Sequence, residues 1–269
     1  METGMRNVVV FSPSRFSLYT IAVAEMLLRQ GVDVKAIFVR RLLNPARFLG
    51  EFQRDGRRLM RKVWRKLLLR EKAYPIAKEE TIVHFLKKEG ILLRDVEEFR
   101  KRYGIPIVYC SDLNDPSVVA TLQTIKPALG VFTGGGLIRE AVLAHCGMGI
   151  LNCHSGMLPR YRGMDVIEWA ILEGRFQEVG MTVHFMDRGV DTGDLLRLRR
   201  VDLRPGEDIR RLRDRFEPLM CQEIVAACLD VLAGRAQRTP QRLEDGKQYF
   251  VMHPQLIRLA EARLKAIHA

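Results

Sequence analysis

Val8-Val9-Val10-Phe11, the turn Ser12-Pro13-Ser14, an apolar-faced stretch from Leu18 to Gln30, the stop at Gly31 and Val34-Lys35-Ala36-Ile37-Phe38-Val39 decide the fold of this chain. Four consecutive apolar residues bounded by a Ser/Pro turn are the signature of a buried strand. Ala22, Ala24, Leu27 and Leu28 then recur at helical spacing, and glycine is a natural helix stop. Strand, helix and strand in this order predict parallel strands covered by helices. The pattern continues outward. Helices are expected over Ile82–Lys88 and Val96–Tyr103, a strand over Ile105–Cys110, a helix over Ser117–Ile125 and a strand over Ala128–Phe132. Further on come a helix over Val166–Leu172, a strand over Gly180–Phe185 and an edge strand, alternately apolar and basic, over Leu195–Val201. A long amphipathic helix over Arg211–Leu232, the short apolar run Tyr249-Phe250-Val251 and a helix over Gln255–Ile267 complete the chain. The fold class is α/β, with a mostly parallel sheet flanked by helices.

The chain has 269 residues, enough for one α/β domain with an extension and a substantial core. No apolar run approaches the roughly 20 residues of a membrane span, and the residues before Val8 lack a signal-peptide pattern. A cytoplasmic protein is therefore expected. Cysteines at 110, 146, 153, 221 and 228 form no C-x-x-C pair, so neither a zinc site nor a disulfide framework is expected. The net charge of +12 is concentrated between Arg40 and Lys72, where twelve Lys/Arg face three Asp/Glu. Phe48, Phe52, Leu59, Met60, Val63, Trp64 and Leu67 recur there at helical spacing, which predicts a basic helical insertion over about 41–72. Three uses are open to it: packing on the sheet with a solvated basic face, peripheral contact with an anionic membrane, or framing a phosphate-bearing substrate. Without an RNA-reading motif, nucleic acid is not the favoured partner.

The residues that carry chemistry lie in Gly149-Ile-Leu-Asn152-Cys-His154-Ser-Gly-Met-Leu-Pro159-Arg-Tyr-Arg-Gly163 and Thr182-Val-His-Phe-Met-Asp-Arg-Gly-Val-Asp191-Thr-Gly193-Asp194. Side chains two apart on a strand share a face, so Asn152 and His154 project together and Cys153 turns to the core. An amide donor, an imidazole and the carboxylate of Asp191 are the groups needed to stabilise a developing oxyanion and move its protons. Thr133-Gly134-Gly135-Gly136 follows a buried strand, where absent side chains let backbone approach a ligand. Ligands of open α/β sheets bind beyond the carboxyl ends of the strands, where this loop and Asn152/His154 would meet. His184 alternates with Val183 and is expected in the core or supporting the site. Arg160 and Arg162 either meet an acidic substrate or fold back onto carboxylates.

Asn-x-His, Leu-Pro-x-Tyr-Arg-Gly, Gly-x-Thr-Val-His-Phe and Val-Asp-Thr-Gly-Asp, in this order, resemble the folate-dependent formyltransferases. That family includes glycinamide ribonucleotide, methionyl-tRNA and nucleotide-amino-sugar formyltransferases. The specific motifs cover residues 149–196, and a weaker resemblance covers 104–204. It implies a Rossmann-like catalytic domain over 1–204 and a small, mainly helical C-terminal extension over 205–269. It also implies a catalytic set of Asn152, His154 and Asp191. A pterin pocket would be built from Gly134, Gly135, Gly136, Leu137, Ile138, Val190, Thr192 and Gly193, bordered by Leu158. The formyl donor would be 10-formyltetrahydrofolate, with no metal, and the acceptor a primary amine.

Two departures bear on loop shape. Ser155 stands where proline is common, and Gly156 where serine is common. The turn Ser12–Phe16 lacks the glycine-rich phosphate loop of the glycinamide ribonucleotide enzymes. Residues 205–269 are too few and too helical for the C-terminal barrel of the methionyl-tRNA enzymes. A small amine acceptor, led by a nucleotide-linked amino sugar, is the expectation. The alternatives are a methionyl-tRNA-type formyltransferase and a non-catalytic folate-binding or membrane-surface protein that kept the fold.

Overall fold

The computed structural model describes residues 7–41 and 81–267, and the basic insertion lies from residue 42 onward outside the described residues. Strand β1 (Asn7–Ser12) is buried along its whole length, and Val8, Val9, Val10 and Phe11 are each fully covered. Such a continuous apolar run is what a strand covered on both faces requires. Helix α1 (Leu18–Arg29) starts where Ser17 accepts a hydrogen bond from the Thr20 N–H, satisfying one orphan donor of the first turn. It leads into β2 (Asp33–Arg40). Beyond the insertion come α2 (Ile82–Lys88), α3 (Val96–Tyr103), β3 (Ile107–Cys110), α4 (Pro116–Ile125) and β4 (Leu129–Phe132). A short α5 (Glu140–Leu143), not anticipated from the sequence, precedes β5 (Ile150–His154). The second half holds β6 (Tyr161–Gly163), α6 (Val166–Leu172), β7 (Gly180–Phe185), β8 (Leu195–Arg200), α7 (Ile209–Leu232), β9 (Lys247–Tyr249) and α8 (Pro254–Ala266).

Seven strands form one sheet in the order β3-β2-β1-β4-β5-β7-β8. The first five are parallel, while β7 and β8 run antiparallel to their neighbours, and β8 is the expected edge. The chain builds outward from β1 to β3 and then returns to lay β4 beside β1. That reversal opens a crevice at the carboxyl ends of β1 and β4, the position favoured for ligands in open α/β sheets. One face of the sheet is covered by α1 and α7, whose Ile21, Leu27, Phe216 and Ile224 pack with Val10, Leu151 and Cys153. On the other face Phe11 stacks on Phe38 at 5.4 Å, with Leu122 of α4 and Val142 of α5 in the same cluster.

Residues Tyr161–Gly163 follow the strand that carries Asn152 and His154 and show no strand pattern of their own. They pair instead in parallel with β9, with Tyr161 opposite Lys247 and Gly163 opposite Tyr249. The buried Tyr161 ring stacks on Tyr249 at 5.3 Å, and both hydroxyls donate to Glu173. Three-residue strands joined by remote pairing carry no periodicity of their own. Among the described residues no helix is long and apolar enough to cross a membrane.

Candidate functional site

The floor of the switch-point crevice is a run of hydroxyls. Thr133 donates to the Phe11 carbonyl at 2.7 Å, Thr20 lies 2.7 Å from Thr133 and 2.8 Å from Ser12, and Ser12 donates to the Ser14 carbonyl. These bonds tie the ends of β1 and β4 to the start of α1. Gly134, Gly135 and Gly136 leave β4 with φ of 122°, 126° and 105°, a region that favours glycine. A Cβ on Gly135 would lie 2.7 Å from Leu113, so the loop also sits too close for a side chain. Arg40 donates to the Gly135 carbonyl at 2.7 Å and steadies the loop from β2. Beyond it Leu137 is exposed and Ile138 buried.

The antiparallel β5–β7 register sets Asn152 opposite His184 and His154 opposite Thr182. His184 Nδ1 lies 2.7 Å from the Phe185 carbonyl, which fixes that nitrogen as the donor. Its Nε2 is then free to accept from Asn152 Nδ2 at 3.1 Å, which orients the amide. His154 Nε2 donates to the Tyr161 carbonyl at 2.8 Å, while Nδ1 faces Asp191 Oδ2 at 3.4 Å. Asp191 reaches this cluster from a left-handed residue, φ 54°, a conformation that aspartate tolerates better than most side chains. Its Oδ2 accepts from the Gly163 N–H at 2.9 Å, and its Oδ1 lies 3.5 Å from His184 Nε2. Gln241 braces the loop by donating to the carbonyls of Asp191 and Gly193.

The electrostatics follow from these partners. Burial alone would raise the Asp191 carboxyl, but His184 and His154 in their protonated forms, together with the Gly163 N–H, outweigh it and bring the pKa down to about 2. Burial pushes the His154 pKa below its ordinary value, with Asp191 opposing that shift and His184 adding to it. At neutral pH the cluster therefore holds one fixed negative charge beside a largely neutral imidazole. Any proton arriving at His154 Nδ1 meets a ready counter-ion. Cys153, on the opposite face of β5, is buried and its thiol is pushed up by that burial, which makes it inert as a nucleophile.

The structure thus brings Asn152, His154 and Asp191 into one cluster, with Val190, Thr192 and Gly193 on the same loop as Asp191. Thr192 donates to Asp187 at 2.6 Å, and a Cβ on Gly193 would collide with the Phe185 carbonyl. Leu158 is buried, its N–H donating to Thr182 Oγ1. Arg160 folds back onto Glu178, and Arg162 onto the carbonyls of Leu243 and Gly246. A cavity of about 330 Å³ opens beside Asn152, between the β5 end and helices α1 and α7. Tyr19, Phe216 and Glu217 line it, together with Thr133 and Gly134. Sequence reasoning left aside Tyr19, Glu217, Gln241, the Tyr161 carbonyl and the Gly163 N–H. His184 was readable as an inward residue, but its contact with Asn152 depends on a register that no local pattern carries.

A family model described as formyl transferase matches residues 78–228, more than half of the chain. The methionyl-tRNA formyltransferase of Syntrophus aciditrophicus is 32% identical over 177 residues, 65% of this chain and 56% of that protein. The chain spans about half the length of the curated relatives it matches. Among solved structures, glycinamide ribonucleotide transformylase 1 from Symbiobacterium toebii superposes with a TM-score of 0.59 at 18% identity, covering 89% of this chain and 96% of that one. The N-formyltransferase from Helicobacter canadensis, solved with folinic acid and dTDP-3-aminofucose, gives 0.56 at 10% identity over 96% and 80% of the two chains. At these identities the structural likeness establishes the fold.

Proposed function

Because this chain belongs to the formyl transferase family, we propose that it moves a formyl group from 10-formyltetrahydrofolate to the primary amine of a small acceptor. The observation that carries the reading is the meeting of Asn152, His154 and Asp191 at the carboxyl end of β5, beside the side-chain-free backbone of Gly134–Gly136. That backbone suits the flat, donor- and acceptor-rich pterin, with Ile138 and Val190–Gly193 as further walls. The donor supplies an activated formyl carbon on its N10. Overall the amine nitrogen forms a C–N bond to that carbon, the bond to N10 breaks, and the amine's proton ends on N10. Asn152 spends one amide hydrogen on His184 and has the other for the charge that grows on the formyl oxygen. Loss of one such donor costs about 10²–10³ in rate. His154 Nδ1 accepts the proton as the amine attacks, with Asp191 at 3.4 Å stabilising the imidazolium.

The first acceptor class to assay is the nucleotide-linked amino sugar, with support from the Helicobacter canadensis neighbour, whose complex holds such a molecule. Formylation of methionyl-tRNA is a second reading, supported by the curated relatives. It predicts affinity that falls steeply with salt. All five cysteines are free and buried, which fits the reducing cytoplasm where we place the reaction. Calorimetric titration with 5-formyltetrahydrofolate, which does not transfer its formyl group, tests the donor assignment. Saturable one-site binding is expected, and no binding at high micromolar ligand would overturn the reading.

A further inference from the structure

The loop that carries Asp191 is tied down by the segment that follows α7. Arg238 sits 3.7 Å over the Phe185 ring and donates to the Met148 carbonyl at 3.0 Å. Thr239 exchanges both backbone hydrogen bonds with Leu195, at 2.8 and 3.0 Å, and the ring of Pro240 stiffens the next step of the chain. Gln241 therefore leaves a fixed base. Its side chain reaches back to the loop, where Nε2 donates to the Asp191 carbonyl at 3.1 Å and to the Gly193 carbonyl at 2.6 Å. Both amide hydrogens are used, and two carbonyls two residues apart are drawn to one point. The Oε1 end is buried and has no hydrogen-bond partner among the described residues. For packing alone an apolar side chain of the same length would serve better, because it leaves no buried oxygen unpaired. What the two bonds hold is Asp191 in the left-handed region, φ 54°, which a residue other than glycine keeps only where its surroundings over-determine it. The direction of the Asp191 carbonyl is set by that residue's ψ, so the Gln241 bond fixes the dihedral beside the strained φ. The side chain is thereby aimed at the Gly163 N–H and at His154 Nδ1, 3.4 Å from Oδ2.

We propose that Gln241 is a positioning residue for formyl transfer, acting through Asp191 by holding that carboxylate against His154 while the proton moves. The inference rests on the formyl-transfer reading above. Gln241 lies beyond residues 78–228, the stretch that matches the family model. It makes the segment after α7 part of the catalytic unit rather than a cover on it. Without the two bonds the 190–193 turn relaxes, Asp191 leaves the left-handed region and its carboxylate draws away from Nδ1. The imidazolium formed as the amine attacks then loses part of its counter-charge. A misplacement of about 1 Å in such a set costs about 10²-fold in rate. The titratable groups that face His154 are Asp191 and His184, with the Tyr161 carbonyl on Nε2. Of these, Asp191 is the one on the loop that Gln241 holds, so a change at the His154 ring reports where Asp191 stands.

The test is a double-mutant cycle of Gln241→Met and Asp191→Asn. It is read by NMR titration of the His154 ring and by kcat for transfer from 10-formyltetrahydrofolate to dTDP-3-aminofucose. Gln241→Met keeps the length of the side chain and removes both donors. With Asp191 in place it should lower the His154 pKa, in the direction of Asp191→Asn but by less, and cut kcat by about 10–10²-fold with the acceptor KM unchanged. On the Asp191→Asn background it should do neither, the non-additivity expected of residues that act as a unit. Gln241→Asn keeps the amide but withdraws it by one methylene. It should give the same signs, and it takes the place of the methionine variant if that one does not fold. Where the sugar is not turned over, the His154 titration decides alone. An unchanged His154 pKa in the folded Gln241 variant, or the same drop with and without the Asp191 carboxylate, would overturn the proposal. If 5-formyltetrahydrofolate does not bind the wild type, the formyl-transfer reading fails instead, and the titration still shows whether Gln241 holds Asp191.

Discussion

Asp191 and Glu217 are two carboxylates at the same end of one sheet, and their surroundings drive them in opposite directions. Asp191 sits in a dry cluster, where His184 and His154 in their protonated forms and the Gly163 N–H overcome the cost of burial. Glu217 stands on α7 with no compensating donor among the described residues, and partial burial followed by the nearby Asp214 raises its pKa. The difference shows what a carboxylate is built for. One with three fixed partners is a permanent counter-charge, suited to orienting and stabilising an imidazolium. One without such partners among the described residues holds its proton to a higher pH. Structural carboxylates in this protein behave as the first kind, as Glu173 does between Tyr161, Tyr249 and Lys247.

Removing the charge of Asp191 is the largest break in that contrast. Asp191→Asn should lower kcat by about 10²–10⁴, the range for a lost acid–base component, with donor binding nearly intact. It should also lower the His154 pKa further, because the larger of the two contributions that oppose burial, ahead of the Tyr161 carbonyl, is gone. NMR titration of the His154 ring reads this directly, and an unchanged or raised value would contradict the assignment. Stability carries the same signature. The folded-state pKa of Asp191 is depressed from 3.8 to about 2. Its contribution is therefore complete above about pH 4 and is lost as the pH falls through 2. By linkage that contribution is about 2 kcal/mol. Urea unfolding of wild type and Asp191→Asn should accordingly differ more at pH 6 than at pH 2.5.

Gly156 tests how tightly the dry cluster is packed. A Cβ there would lie 2.8 Å from His154 Nε2, 2.8 Å from the Tyr161 carbonyl oxygen and 2.9 Å from Val166. Gly156→Ala should wedge apart the His154–Tyr161 hydrogen bond and cost about 1–3 kcal/mol, the usual penalty for overpacking. Denaturation midpoints measure this, and an unchanged midpoint would show that the loop gives way. The sequence offered only half of this. Glycine in place of the family's serine marked a changed loop, but the imidazole against which that glycine packs is visible only in three dimensions.

The legible and illegible parts of the molecule divide along the same line. Strand alternation placed Asn152 and His154 on one face, and the apolar runs of β1, β2 and β4 announced a sheet buried on both sides. Those are local signals of period two or of continuous burial. The Asn152–His184 contact depends on β5–β7 register, and the Asp191 bond to Gly163 on a loop meeting a three-residue strand. Tyr19 and Glu217 belong to helices far apart in sequence that meet only in the tertiary fold, so neither residue type nor spacing singled them out. Long-range pairing, rather than propensity, carried the missing information.

Glu217→Gln gives the smallest effect and sharpens the contrast from the opposite side. A carboxyl whose folded-state pKa is raised above its unfolded value destabilises the folded protein once the pH exceeds both values. The neutral amide removes that penalty while keeping the shape. Thermal unfolding at pH 7 should therefore find Glu217→Gln equal to wild type or slightly more stable, with the gain disappearing by pH 4, where the wild-type carboxyl is protonated. Because Glu217 is exposed, solvent screening keeps the gain small. A loss of stability at pH 7 would mean that Glu217 holds a structural partner.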